Sequence, residues 1–163
     1  MPSAFPDKSA VIDGNYRYLL GREWNTKNPQ ITFVMLNPST ADADKDDPTL
    51  RKCIKFANSW GYGSLEVVNL FAFRATKPCD MTQADDPIGL NNNFYLQTAT
   101  ERAELIILAW GIHAPFLNRD KAVLHLISSK QTLYCLGRTK AGHPLHPLWL
   151  SNSTQPVIFY SYN

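Results

Sequence analysis

Continuous apolar runs alternate along this chain with longer segments of helical period, and this alternation restricts the possible folds more than any other feature. Strands that are buried on both faces have such uninterrupted apolar sequences, and strands that alternate with helices build largely parallel sheets. We therefore predict an α/β fold with a central, mostly parallel four-stranded sheet. The four strand runs are residues 31–36, 65–73, 105–110 and 132–136, and residues 16–24 and 156–160 could add edge strands.

Three segments between the apolar runs are predicted to be helical. Asp47 and Pro48 precede a stretch whose apolar residues share one helical face, and Gly61 follows that stretch. Asp is a favoured N-cap, Pro is favoured in the first turn, and Gly is favoured just beyond the last turn. Residues 89–102 and 115–128 are the other two helical candidates.

The length and composition fit one ordinary globular domain. A chain of 163 residues has room for one well-buried core, since domains typically contain roughly 100–150 residues. With 44% apolar and 18% charged residues, the chain is far from the composition of disordered proteins. We therefore expect a single α/β domain over residues 1–163.

No segment of the sequence predicts export or membrane insertion. Residues 1–8 lack the basic region and the apolar region of a secretory signal. The longest apolar run, residues 105–110, is far shorter than the roughly 20 residues of a membrane-spanning helix. We therefore expect a cytoplasmic protein with no membrane partner.

The cysteines and the net charge exclude some functions and leave others open. Cys53, Cys79 and Cys135 are an odd number and lack C-x-x-C spacing, so they predict reduced thiols and neither a disulfide framework nor a zinc site. A net charge of +2 is too small to indicate nucleic-acid binding by bulk electrostatics. The charge therefore leaves the partner undecided, and no cofactor is expected.

Polar loops follow the predicted strands at the edge of the sheet where α/β proteins bind their ligands. These loops supply the candidate site residues, which are Asn37, Ser39, Asp42, Arg74, Lys77, Arg138, Lys140, His143 and His146. Asn37 and Ser39 flank a proline, so this segment is either a simple turn or a polar site at the end of a strand. Asp42 belongs to an acidic stretch that lacks the Gly and Glu of a calcium loop, but its carboxylate could orient a water.

Asn69 lies within the second apolar run. A buried amide without partners costs roughly 1–3 kcal/mol. The amide either bonds to neighbouring backbone or is held rigidly to read a planar hydrogen-bonding edge, such as that of a nucleobase. Both interpretations remain open from the sequence.

His143 and His146 each precede a proline, and the two prolines stiffen their loop. Histidine on a rigid loop suits hydrogen bonding to a developing anion or proton transfer. No third ligand accompanies the pair, so no metal is predicted. His113 and His125 are interpreted as structural residues.

Several segments resemble the domain of unknown function 1643 family, and together they cover most of the chain: residues 33–49, 60–76, 86–92, 107–111 and 136–147. A more distant resemblance is to the uracil-DNA glycosylase superfamily. It rests on Asn37-Pro38 after the first strand, Asn69 in the second strand, and His143-Pro144 late in the chain. This chain has Met35, Ser39 and Leu145 where that superfamily's motifs have two glycines and a serine.

The distant resemblance implies a fold and a set of roles. The superfamily has a three-layer α/β/α fold with a central parallel sheet. By this resemblance Asn37 would position the attacking water and Asn69 would recognise the base. Either His143 or His146 would stabilise the departing base anion, which is consistent with the need for oriented dipoles around developing charge.

Three functions are therefore considered. The first is hydrolysis of a nucleobase N-glycosidic bond, in DNA or in a free nucleotide. The second is a binding module for a nucleotide or nucleic acid that does not cleave it, and the third is a small-molecule hydrolase with His143 or His146 as general base. For a DNA or nucleotide partner, the expected phosphate contacts are Arg74, Lys77, Arg138 and Lys140.

Overall fold

A seven-stranded sheet forms the centre of the computed structural model, which describes residues 8–128 and 131–161. The order of the strands across the sheet is β1-β2-β4-β3-β5-β6-β7. In chain order the strands are β1 (Lys8–Asp13), β2 (Tyr16–Glu23), β3 (Gln30–Met35), β4 (Ser64–Asn69), β5 (Leu105–Leu108), β6 (Leu133–Cys135) and β7 (Val157–Tyr160).

The sheet is mixed. Strand β3 pairs in parallel with β4 and β5, and β5 pairs in parallel with β6. Strands β1, β2 and β7 join by antiparallel pairing. This arrangement is consistent with the predicted α/β class. The carboxyl ends of β3, β4, β5 and β6 therefore lie at one edge of the sheet, while the antiparallel β2 has its amino end there.

The outer strands differ from the expectation in one respect. Residues 156–160 predict an edge strand, and β7 lies at an edge of the sheet. Residues 16–24 predict another edge strand, but β2 lies inside the sheet between β1 and β4. The difference arises because β1, a strand that was not predicted, pairs with the outer side of β2.

Helix α1 (Pro48–Ser59) forms where the sequence predicts it. Asp47 is the N-cap, and its Oδ1 accepts a hydrogen bond from the Leu50 N–H at 2.8 Å. Pro48 occupies the first turn. Gly61 follows the helix with a φ of +88°, a conformation that costs glycine little.

The remaining helices are α2 (Pro78–Thr82), α3 (Asn92–Arg102) and α4 (Arg119–Ile127). The five-residue α2 was not predicted, and α3 starts three residues after the predicted start at Gly89. A 3-10 turn, Phe116–Asn118, precedes α4 in the third predicted helical segment. Leu117 and Asn118 have left-handed φ values of 56° and 52°, so the predicted helix is interrupted there.

Helices cover both faces of the sheet because successive strand residues point to opposite sides. On β3, Phe33 packs in the apolar cluster that contains Leu50 and Phe56 of α1. The next residue, Val34, packs in the cluster that contains Leu96 of α3, with Val123 and Ile127 of α4. Among the described residues, no helix has the length and the apolar character needed to cross a membrane.

Candidate functional site

A cavity of about 580 Å³ opens at the carboxyl ends of the parallel strands. Each parallel strand contributes residues at or just beyond its end. Strand β3 contributes Met35, Leu36 and Asn37, β4 contributes Asn69, β5 leads to Trp110 and His113, and the segment after β6 supplies Thr139, Leu145 and His146. The cavity therefore lies where parallel α/β sheets bind their ligands.

Asn69 presents an unpaired amide to this cavity. The residue is the last of β4, and 1% of its surface is exposed. Both Oδ1 and Nδ2 are buried, and neither forms a hydrogen bond within the part of the chain that the structure describes. The side chain does not bond to neighbouring backbone. Buried polar groups are nearly always paired, so this free donor and free acceptor in the cavity wall are available to a ligand.

The main chain next to this amide is held firmly. Asn92 Nδ2 donates to the carbonyl oxygens of Asn69 and Leu70, at 2.9 and 3.0 Å. Arg119 Nε also donates to the Leu70 oxygen at 2.7 Å, and its Nη2 donates to Asn93 Oδ1 at 2.7 Å. Burial lowers the pKa of Arg119. Residues at the start of α3 and α4 thus fix the backbone that carries Asn69.

Asn37 is oriented by two backbone carbonyls. Its Nδ2 donates to the Ala75 oxygen at 2.9 Å and to the Pro38 oxygen at 3.1 Å. These two bonds define which atom of the amide is nitrogen, because only the NH₂ group can donate. Within the described residues no group donates to Oδ1. Asn37 therefore offers the cavity a fixed hydrogen-bond acceptor.

His146 can act as a neutral hydrogen-bond donor. Its Nδ1 accepts the Leu148 N–H at 3.2 Å, so the proton of the neutral ring is on Nε2. Much of the side chain faces solvent, but desolvation by the cavity wall lowers the pKa of His146 below 6.5, and Asp47 opposes that shift. The ring is therefore mainly neutral at neutral pH, with Nε2–H available to a ligand.

A second, more polar cavity of about 500 Å³ adjoins the first. We call it the annex, and it is lined by Ser39, Thr40, Asp42, Lys45, Arg74, Ala75, Thr76 and Asp80. Ser39, Thr40 and Thr76 line both spaces. Asp42 belongs to the annex, and its Oδ1 accepts two backbone N–H groups, those of Asp44 and Lys45. These bonds lower the pKa of Asp42. Its carboxylate is therefore charged, and its Oδ1 atom already accepts two hydrogen bonds.

The structure does not bring the four predicted phosphate contacts together. Arg74 lines the annex, where its Nε donates to the Ser39 oxygen at 3.2 Å. Arg138 instead lies 4.1 Å from the centre of the Phe159 ring and donates to the Phe159 oxygen. Of the residues described, neither Lys77 nor Lys140 lines the cavity or the annex.

His143 and His146 have different surroundings in the structure. The His143 N–H donates to Thr139 Oγ1 at 3.1 Å, and its carbonyl oxygen accepts the Thr139 N–H at 2.8 Å. His143 thus shapes the turn that carries Thr139, and it is not among the described residues that line the cavity. Of the two histidines, His146 is the one at the candidate site.

Several cavity residues with polar or aromatic side chains were not singled out from the sequence for the site. Arg17 reaches the cavity from β2, and Trp110 lies directly beyond β5. Asp47 was predicted only as a helix cap, and it also lines the cavity. His113, interpreted as structural, is exposed and lines the cavity. An arginine between Tyr16 and Tyr18, in a segment predicted to be a strand, was the signal that could have identified Arg17.

The cysteines are free thiols, Cys53 and Cys135 buried and Cys79 exposed. Cys53 lines the cavity, but burial raises the pKa of its thiol, so Cys53 is not a thiolate nucleophile at neutral pH.

Residues 8–128 and 131–161 contain no group of three or more His, Cys, Asp or Glu side chains that could hold a metal ion.

Comparison with known proteins gives one match. The model of a family described as a protein of unknown function, DUF1643, matches residues 17–148. Arg17 and Leu148, the ends of that match, are also the first and the last residues that line the cavity. No curated protein and no solved structure matches the chain.

Proposed function

The chain belongs to the DUF1643 family of proteins of unknown function, and we propose that it binds a nucleobase in the cavity and hydrolyses the N-glycosidic bond that joins this base to its sugar. The observation that carries the proposal is the buried, unpaired amide of Asn69. The proposal includes a fold related to that of the uracil-DNA glycosylase superfamily, formed by a single domain.

A carboxamide with a free donor and a free acceptor complements a nucleobase edge. One Nδ2–H and one Oδ1 lie in a plane, so the side chain matches an acceptor next to a donor on a planar heterocycle. Met35, Leu36 and Trp110 give the same cavity apolar walls, which suit a flat ring. A bound base would satisfy both Asn69 atoms and remove a desolvation cost of about 1–3 kcal/mol for each unpaired group.

Two further groups suit hydrolysis. The Asn37 Oδ1 atom can accept a hydrogen bond from a water molecule, and His146 Nε2–H can donate to the departing base. In the reaction, the water oxygen forms a bond to C1′ and the electron pair of the broken C1′–N bond stays with the base. One water proton ends on that base nitrogen and the other stays on the new hydroxyl. Oriented dipoles around the separating charges supply the stabilisation.

The order of these groups along the chain is similar to that of the uracil-DNA glycosylase superfamily. Asn37 follows β3, Asn69 ends β4 and His146 follows β6. This similarity supports hydrolysis over binding alone. The annex, with Arg74 on its wall, offers space for a sugar phosphate, which is consistent with a nucleotide or a DNA strand as substrate.

Base release is expected to depend on pH through His146. The lowered pKa keeps the ring neutral around neutrality, and the ring gains its second proton only in more acidic solution. Protonated Nδ1 could no longer accept the Leu148 N–H, so the ring would lose its orientation. The rate should therefore fall as the pH decreases through the lowered pKa. A pH profile of base release checks this prediction. If His146→Gln showed the same fall in rate at acidic pH, a group other than His146 would be responsible for that fall.

The proposed function is tested by base release. Nucleosides, nucleotides and oligonucleotides carrying uracil, hypoxanthine and other altered bases are incubated with the protein, and the free base is quantified. Asn37→Ala should reduce release by on the order of 100-fold, the effect of losing one oriented polar group. The matched control is Asn91→Ala, an exposed asparagine before α3, which should release the base at the wild-type rate.

The negative outcomes are informative. No release from any compound by the folded protein, together with saturable base binding that Asn69 controls, would reject hydrolysis and favour the binding module. Release that persists at the full rate in Asn37→Ala would reject the role proposed for Asn37.

A further inference from the structure

Arg17 is a buried cation on the cavity wall with an incomplete set of partners. Its exposed fraction is 4%, and its side chain lines the cavity. Nη1 donates to the Ala41 oxygen at 3.0 Å, whereas the buried Nε has no hydrogen-bond partner within the described residues. No carboxylate in that part of the chain lies within 4.0 Å of the Arg17 guanidinium nitrogens.

Charges of both signs surround this cation. Asp47 and Asp42 favour its charged form, while Arg74 and Arg22 oppose it. Burial lowers the pKa of Arg17 to about 10, which still leaves the side chain protonated at neutral pH.

Both nearby carboxylates already have other roles. Asp47 Oδ1 accepts the Leu50 N–H as the cap of α1. Asp42 Oδ1 accepts the N–H groups of Asp44 and Lys45. Neither of these two carboxylates lies within 4.0 Å of the Arg17 guanidinium nitrogens.

Arg22 shows that this same strand can satisfy a buried arginine completely. Its exposed fraction is also 4%. The guanidinium of Arg22 forms an ion pair with Asp46 and also donates to the carbonyl oxygens of Gly21, Asp42 and Lys45. Arg17, five positions earlier on β2, has a single acceptor. Arg22 therefore has the contacts of a structural arginine, and Arg17 has those of a binding residue.

We propose that Arg17 binds an oxyanion, a carboxylate or a phosphate group, so that the ligand of the cavity is an anionic nucleobase compound and not a neutral nucleoside. The guanidinium presents N–H donors in a planar fork that matches both groups. An unpaired buried charge destabilises a protein, and a ligand oxyanion compensates it. The inference rests on the proposed function, because it adds a charge requirement to the site that Asn69 defines.

The experiment is isothermal titration of the protein with three kinds of compound. These are neutral nucleosides, their 5′-monophosphates, and pyrimidine bases that carry a carboxylate on the ring. The anionic compound should bind at least about 10-fold more tightly than its neutral counterpart, as expected for hydrogen bonds to a charged group. A preference for the monophosphates identifies a phosphate as the oxyanion, and a preference for the carboxylated bases identifies a ring carboxylate.

Variants assign this preference to Arg17. Arg17→Met should abolish the preference and still fold, since the buried charge that it removes has no ionic partner among the described residues and the loss of the hydrogen bond to the Ala41 oxygen costs about 1–3 kcal/mol. Arg17→Lys should keep part of the preference. The matched control is Arg51→Met, which changes an exposed arginine that lines neither the cavity nor the annex and should leave the preference intact.

The possible failures separate this inference from the proposed function. Equal affinity for neutral and anionic compounds, or a preference that persists in Arg17→Met, would overturn the inference and leave base binding standing. Loss of the fold in both Arg17 variants would overturn it by making Arg17 structural. If inorganic phosphate or benzoate binds through Arg17 and no base compound binds, the oxyanion site stands and the proposed function fails. No binding of any compound to the folded protein overturns both.

Discussion

Asn69→Leu should increase the free energy of unfolding by about 1–2 kcal/mol and at the same time weaken base binding. The amide oxygen and nitrogen are buried without partners, so the folded protein carries a desolvation cost that leucine, of similar size, does not. Binding should weaken by about 100-fold, because two hydrogen bonds to the base are lost at about 1–1.5 kcal/mol each. Opposite effects on stability and affinity are the signature of a residue kept for its ligand.

Denaturant unfolding and isothermal titration measure the two effects. Thr32→Val is the matched control, because Thr32 is a buried polar residue on the neighbouring β3 whose hydroxyl donates to the Ala99 oxygen at 2.9 Å. That variant should lose stability and leave binding unchanged. If Asn69→Leu also lost stability and kept its affinity, the Asn69 amide would be structural and the base-binding site would lie elsewhere.

Asn92→Ala should lower the free energy of unfolding by about 2–4 kcal/mol and weaken base binding as well. Asn92 is fully buried, and its Nδ2 is shared by the Asn69 and Leu70 carbonyl oxygens. Alanine would remove both bonds and leave a buried carbonyl without its donor, a loss of about 1–3 kcal/mol, in addition to a small cavity. Affinity should fall because the backbone that carries Asn69 is no longer fixed.

The same unfolding and titration measurements check this prediction. Asn91→Ala changes the exposed neighbouring asparagine and should alter stability by no more than about 0.5 kcal/mol. Normal affinity in a destabilised but folded Asn92→Ala protein would show that Asn92 supports the fold and does not position Asn69.

Local sequence signals were sufficient for part of the fold. The Asp47-Pro48 start and the Gly61 end of α1 are set by interactions within a few residues, so a single segment of sequence reveals them. The continuous apolar runs locate β3, β4, β5 and β6 in the same way. The run at residues 65–73 nevertheless extends past β4, which ends at Asn69, because hydrophobicity records burial and does not record where pairing stops.

Strand order could not be predicted from such local signals. Strand β2 lies between β1 and β4, an arrangement that depends on pairing between segments far apart in the chain. The same limit explains why some residues of the candidate site were found from the sequence and Arg17 was not. Asn37 and Asn69 were found because they follow or end predicted strands. Arg17 was missed because antiparallel pairing brings the amino end of β2 to the cavity, where the Arg17 N–H donates to the Ala72 oxygen.

The span of the cavity wall along the chain has a consequence for folding. Arg17 and Leu148 line the same space, and the other lining residues come from β2, β3, β4, α1 and the segments that follow the four parallel strands. Contacts between such distant segments carry a loop-closure cost and form slowly. Because the described lining residues are spread from position 17 to position 148, no short contiguous fragment contains the cavity, and ligand binding there reports on the finished tertiary structure.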